Sequence, residues 1–278
     1  MFKDIAVFMT GRDADCHALD ASVKLARQFD AKLLPLHMVE LHGSAFNSWG
    51  IWPDPKIEAT HTQLRHRAAM RAERTTADLK AMHIDHHPAR VVEALYTQAW
   101  KAATRECHCA DLVVTSKCLD KDQNDHPRQN ITGLLFQAGR PILVMPSKSY
   151  SSVPPKKVLV AWQPVREAAR AIHDAIPLLL TEESVDIVTY DGGVGENDSL
   201  GRQMMLDHLW RHGVHAKCVA LDSHWIDVAS LILSHADSIG AELVVAGGYG
   251  HSRFAEWILG GVTRGLLTEA HIPIFLSH

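Results

Sequence analysis

The chain is punctuated by short, dense runs of Ile, Val, Leu and Phe. Residues 3–9 and 32–39 carry such runs without strict alternation, which predicts strands covered on both faces. Residues 13–29 (DADCHALDASVKLARQF) place Ala14, Ala18, Ala21, Leu25 and Phe29 on one side and predict an amphipathic helix. A longer polar helix is expected over 57–77, a weak strand over 80–85 and a helix over 90–107. Strands at 111–115 and 141–145 follow, separated by a helix over 129–138. A second series predicts strands at 156–162, 184–190, 214–220, 242–246 and 272–276, with helices at 165–180, 197–212, 225–239 and 252–268. Strands alternating with helices predict an α/β fold of parallel strands joined by right-handed crossovers, with helices on both faces. Ligands in such open sheets bind outside the carboxyl ends of the strands, where the strand order reverses.

The series is a duplication. KDIAVFMT at 3–10 matches KKVLVAWQ at 156–163, DLVVTSK at 111–117 matches ELVVAGG at 242–248, and RPILVMPS at 140–147 matches IPIFLSH at 272–278. The last two pairs are offset by 131 and 132 residues and the first by 153, so the first copy carries about 22 extra residues. HGSAFNSWGIWPDPK, 42–56, has no equivalent in the second copy, and its Gly, Ser, Pro and Trp content predicts a surface loop. The join is KSYSSVPPKK, 148–157, whose prolines continue neither a helix nor a central strand. The expected domains are therefore 1–150 and 153–278.

Composition narrows the function. The chain has 278 residues, 46% apolar and 22% charged, which is ordinary for a globular protein of about two domains. Its formal net charge of -4 gives no pull toward nucleic acid or an anionic membrane. No apolar run approaches the ~18 residues that cross a bilayer, and MFKDIAVFMT reads as a buried strand and not a signal peptide. The cysteine count, 5, is odd in a long chain, which favours a reducing, cytoplasmic setting. The 19 histidines make the net charge strongly dependent on pH between about 5 and 7.

The sharpest chemical signal follows the strand ELVVAG. The chain runs through Gly247, Gly248, Tyr249, Gly250, His251, Ser252 and Arg253, and Gly260 and Gly261 come ten residues after Gly250. Glycines after a strand allow a tight turn and close backbone approach to a ligand. Amides at the next helix start suit phosphate oxygens, Ser252 adds a hydroxyl, Arg253 a forked cation, and His251 lies within the loop. The plainer alternative is a glycine-rich βα turn with Ser252 as helix cap. Neither a Walker A lysine motif nor a GxGxxG fingerprint is present.

Catalytic and metal signals are weak. The sequence has no GxSxG elbow and no HExxH pair, and Asp191 precedes Gly192 and Gly193 as a turn residue would. Cys107, Cys109 and Cys118 are separated by a strand of five residues, about 17 Å, which is too far for one metal. His83, His86 and His87 are expected to be a solvated patch. Trp49 and Trp52 are expected to anchor the inserted loop, and Trp162 and Trp257 to be core. No catalytic residue and no metal ligand is assigned.

With these motifs in view, the chain resembles a tandem member of the universal stress protein family over nearly its whole length. The resemblance implies two units, each an open parallel five-stranded sheet with strand order 3-2-1-4-5. The family's nucleotide loop, Gly, two residues, Gly, nine residues, Gly, then Ser or Thr, corresponds to Gly247, Gly250 and Gly260 followed by Gly261. By that analogy Gly247 and Gly250 border the phosphates, Ser252 and Arg253 lie nearby, and Gly260 and Gly261 approach ribose or phosphate. Gly261 replaces the family's hydroxyl. Gln163, Pro164 and Val165 stand where the family has Asp-Gly-Ser, with the Asp reaching the adenosine. The first repeat departs further: Thr10 replaces the Asp, and SKCLDKDQNDHPRQNITG retains none of the loop glycines. It is expected to be structural, or a degenerate site for a different ligand. The resemblance implies a cytoplasmic stress-response protein that binds an adenine nucleotide, ATP with or without magnesium, in the second domain and acts as a ligand-dependent switch. Any hydrolysis is expected to be slow. The alternatives are a non-nucleotide scaffold or interaction protein and a slow nucleotide hydrolase. The last strands, 141–145 and 272–276, are expected to lie at sheet edges and to pair, so that the two units mimic a dimer within one chain. A homodimer is the preferred further assembly, with neither nucleic acid nor membrane as partner.

Overall fold

A computed structural model describes residues 1–41, 55–95, 98–117, 126–147, 153–180, 183–190, 197–221, 227–248 and 260–278. The first repeat comprises β1 (Asp4–Met9), α1 (Asp15–Phe29), β2 (Lys32–Leu41), α2 (Pro55–Ala81), β3 (Arg90–Leu95), α3 (Ala99–Cys107), β4 (Leu112–Ser116), α4 (His126–Gln137) and β5 (Ile142–Met145). The second comprises β6 (Lys157–Ala161), α5 (Arg166–Leu179), β7 (Ser184–Tyr190), α6 (Asn197–Arg211), β8 (Ala216–Leu221), α7 (Val228–Ile239), β9 (Leu243–Gly247), α8 (Gly261–Glu269) and β10 (Ile274–Ser277). Each repeat is an α/β unit with a parallel sheet in the order 3-2-1-4-5: β3-β2-β1-β4-β5 and β8-β7-β6-β9-β10.

By packing, the chain divides into compact units at Phe2–Ala138 and Gly139–His278. Strand β5 belongs to the C-terminal unit because it pairs antiparallel with β10, with Val144 opposite Ile274, Leu143 opposite Phe275 and Ile142 opposite Leu276. Both expected edge strands are thereby given a partner.

In the N-terminal unit, Ile5, Ala6 and Val7 of β1 are fully buried, as a central strand flanked by β2 and β4 requires. Right-handed crossovers put α1 and α2 on one face of the sheet and α3 and α4 on the other. Pro35 lies inside β2 and has no N–H to give. The ladder toward β3 is interrupted at that point: Leu33 bridges His86, and regular pairing resumes only at Leu36 opposite Arg90. Helix α1 ends at Asp30, which adopts a left-handed conformation at φ 50° while Ala31 N–H closes back on the Ala26 carbonyl.

The C-terminal unit repeats the scheme around a central β6 whose Val158, Leu159 and Val160 are fully buried. Asp227 caps α7 by accepting from Ser230 N–H at 3.1 Å, and Gly240 ends the helix at φ 64°. No helix among the described residues is long and apolar enough to cross a membrane.

Two sequence expectations are corrected. Residues 90–107 are not one helix: Arg90–Leu95 forms β3, paired along Leu36–Leu41, and only Ala99–Cys107 is helical. The tandem valines Val91 and Val92 suit a pleated edge better than a helix. Residues 80–85 are not a strand, because α2 runs on to Ala81 and His83 turns the chain at φ 56°. The predicted helix over 252–268 falls partly outside the described residues, and α8 begins at Gly261.

Candidate functional site

The predicted binding residues follow the carboxyl ends of β6 and β9. Gly247 is the last residue of β9, and α5 packs against its Cα. A Cβ there would lie 2.7 Å from Ala168 N and 2.8 Å from the Glu167 carbonyl carbon, so only glycine fits under the start of α5. The backbone of Gly248 is already engaged: its N–H donates to the Ser277 carbonyl at 2.7 Å, and its carbonyl lies 2.8 Å from His278 Nδ1. Gly250, His251, Ser252 and Arg253 lie outside the described residues, as do Tyr249, Trp257, Cys118, Asp191, Trp49 and Trp52.

Across the site, Gly260 caps α8 and Gly261 opens it. The first intrahelical bond is from Arg264 N–H to the Gly260 carbonyl, and no side chain caps this end. The amides of Gly261, Val262 and Thr263 therefore lack intrahelical partners, and a Cβ on Gly261 would meet only open space. Buried Thr263 turns its hydroxyl toward the Gly247 carbonyl at 3.5 Å, tying the helix start to the end of β9.

Gln163, half-buried, follows β6, and its carbonyl accepts from Val165 N–H at 2.8 Å. Pro164 between them has no amide to offer a ligand. Beside Gln163, buried Trp162 has an indole Nε1–H with no hydrogen-bond partner among the described residues. The sequence also gave no weight to Thr189 and Arg202. Thr189 is buried near the end of β7, and the Arg202 guanidinium of α6 reaches its hydroxyl at 3.5 Å. An arginine on the exposed-looking α6 carries no periodic signal. Only its placement over a strand end identifies it.

The first repeat fills the equivalent place differently. Buried Asp15 accepts from Gly11 N–H at 2.6 Å, Arg12 N–H at 3.1 Å and Ser116 Oγ at 3.0 Å. Burial pushes its carboxyl above the usual carboxylate range, against the pull of those hydrogen bonds. Ser116 and Lys117, which the sequence offered to an anion, are both buried, and Ser116 donates to Asp15 instead.

Cys107 is buried, and burial together with nearby Glu106 pushes its thiol up to about 12. It stays a thiol at neutral pH. Among the described residues no group of three or more His, Cys, Asp or Glu converges as metal ligands.

Residues 154–278 match the family model described as the universal stress protein family. No curated protein sequence matches the chain significantly. Among solved structures, a universal stress protein from Archaeoglobus fulgidus DSM 4304 is similar at a TM-score of 0.73 and 14% identity, over 99% of this chain and 95% of that one. A functionally unknown protein from Pseudomonas aeruginosa PAO1 is similar at 0.60 and 12% identity, over 99% and 92%. At such identities the likeness is one of fold, and it extends over both repeats. The sequence match to the universal stress protein family thus covers the second repeat, and the first repeat shares its fold.

Proposed function

We propose that the C-terminal unit binds an adenine nucleotide, ATP, beyond the carboxyl ends of β6 and β9, and that the protein serves stress tolerance as a ligand-dependent switch. One observation carries this reading. The start of α8 presents amides without intrahelical partners, beside a glycine whose Cβ position is open, at the end of a loop with the spacing Gly247, Gly250, Gly260. Gln163 and the unpartnered Trp162 indole supply polar groups on the neighbouring strand end. Pro164 removes an amide from the β6–α5 turn, and this reading puts the phosphates on the β9–α8 side, where Ser252 and Arg253 follow in sequence. Magnesium, if it accompanies the nucleotide, is held by the phosphates. On this reading binding is the activity and any turnover is slow.

The test is the nucleotide content of the protein as purified, released by denaturation and identified by mass, then titration of the emptied protein with ATP and magnesium. About one nucleotide per chain, lost in Gly250→Val, is the expected result. An empty protein that ignores millimolar ATP would overturn the reading and favour a scaffold.

A further inference from the structure

The N-terminal unit contains a cavity of about 190 Å³ that the nucleotide reading leaves unused. It opens where β1 and β2 end, and its walls include Thr10, Met38, Glu40, Leu64, Arg71 and Asn130. At about 30 Å³ per water it holds the equivalent of about six waters. That is below the ~300–1,000 Å³ of pockets built for drug-sized ligands.

The polar groups around it are unevenly satisfied. Arg71 Nε and Thr10 Oγ1 are both buried, and among the described residues neither has a hydrogen-bond partner. Both belong to residues that line the cavity, and a buried donor without an acceptor is destabilising. The guanidinium packs over Gly11, where a Cβ would come within 2.7 Å of Nη2, and Gly11 sits at φ +84°, a conformation side chains disfavour. Buried His37 of β2 bonds Thr75, one turn along α2 from Arg71, and adds no second positive charge: burial and the Arg71 charge push its imidazole down to about 4, so it is neutral at neutral pH.

Elsewhere on the same cavity stands Glu40, the one carboxylate among the described lining residues. Its Oε1 accepts from Asn130 Nδ2 at 3.3 Å, and Asn130 Oδ1 in turn accepts from Trp100 N–H at 3.1 Å. That chain of bonds fixes the Glu40 carboxylate as an acceptor. A second arginine, Arg12, also lines the cavity. Met38 and Leu64 supply apolar wall.

We propose that this cavity binds a small hydroxylated carboxylate, its carboxylate held by Arg71 and Thr10 and a hydroxyl donated to Glu40. A guanidinium matches the planar fork of a carboxylate. Thr10 donates a third hydrogen bond, and Glu40 selects a ligand that brings its own donor. The site is independent of the nucleotide site of the other unit.

Calorimetric titration of the full chain with D-glycerate, propionate and inorganic phosphate tests this. Glycerate is expected to bind once per chain, and propionate, which lacks the hydroxyl, at least fivefold more weakly. Arg71→Met is expected to weaken glycerate at least tenfold and Thr10→Val about threefold, while ATP titration of the same variants is unchanged. Should Arg71→Met fail to fold, Thr10→Val and the propionate comparison still decide. No glycerate binding up to about 10 mM overturns the proposal, as does glycerate binding that neither variant weakens. Phosphate binding that exceeds glycerate and depends on Arg71 also overturns it, in favour of a phosphoryl ligand.

Discussion

Where the strand order reverses, the N-terminal unit places Asp15 and Ser116 3.0 Å apart, whereas the positions that the repeat brings into correspondence in the C-terminal unit are Ala168 and Gly247. In the first unit a carboxylate from its own chain satisfies two turn amides and a hydroxyl. In the second, among the described residues, backbone lies directly on backbone at Gly247. The same fold thus has one switch point occupied by a carboxyl group of its own chain and one where the start of α5 rests on a glycine. The strand ends differ as well: Thr10 corresponds to Gln163, and His37, by register, to Thr189. The two repeats share the scaffold and differ in the polar groups at its rim.

The largest effect that sharpens this comparison is pH-dependent. His37 is about 4 in the folded chain against an ordinary 6.5. Between those values the unfolded chain binds a proton that the folded chain does not, so stability falls as pH drops from about 6.5 to 4, by about 3 kcal/mol in all. The slope should flatten in His37→Gln, and Thr189→Ala at the matching position should leave it untouched. Urea unfolding across that range, comparing variants with the parent, reads the difference directly.

Next, Gly247→Ser would carry the first unit's serine into the second. Its Cβ would meet backbone at 2.7 Å, which no rotamer relieves, so a loss of about 2–3 kcal/mol in urea unfolding is expected. A loss below about 0.5 kcal/mol would mean that α5 does not pack on this glycine. Unplugging the first unit with Asp15→Ala leaves the Gly11 and Arg12 amides and the Ser116 hydroxyl without their acceptor. That should cost about 2 kcal/mol, with ATP affinity unaltered.

The smallest effect concerns Gly261. The space around its Cβ position is open, so Gly261→Ser should fold normally. Restoring a hydroxyl at the α8 start should tighten ATP about threefold, or about 0.7 kcal/mol, by titration. Unchanged or weaker binding would place the phosphates elsewhere.

The architecture was legible because parallel strands buried on both faces write unbroken apolar runs, and those runs recur at offsets of 131 and 132 residues. β3 escaped because it is an edge strand: Val91 and Val92 are only half-buried, and its pairing with Leu36–Leu41 is a non-local fact. The site was legible in part. Glycine spacing marked the β9–α8 side, yet nothing local shows that Gly247 serves packing or that the Gly248 amide is spent on Ser277. Asp15 and Ser116 stand 101 residues apart, so no local pattern joins them. Arg71 was hidden on a long polar helix, where an arginine looks like one more solvated charge. Its spacing of four from Thr75, the partner of His37, was the one available hint.

The pairing of β5 with β10 bears on how the chain can be divided. A fragment cut at the repeat join, residues 153–278, keeps the family match but loses the strand that covers Ile274–Leu276. Such an excised piece would expose a short apolar ladder to any other copy, inviting self-association through strand addition. Light scattering should find it dimeric or larger, whereas a fragment beginning at Gly139 brings its own cover and should remain a single particle.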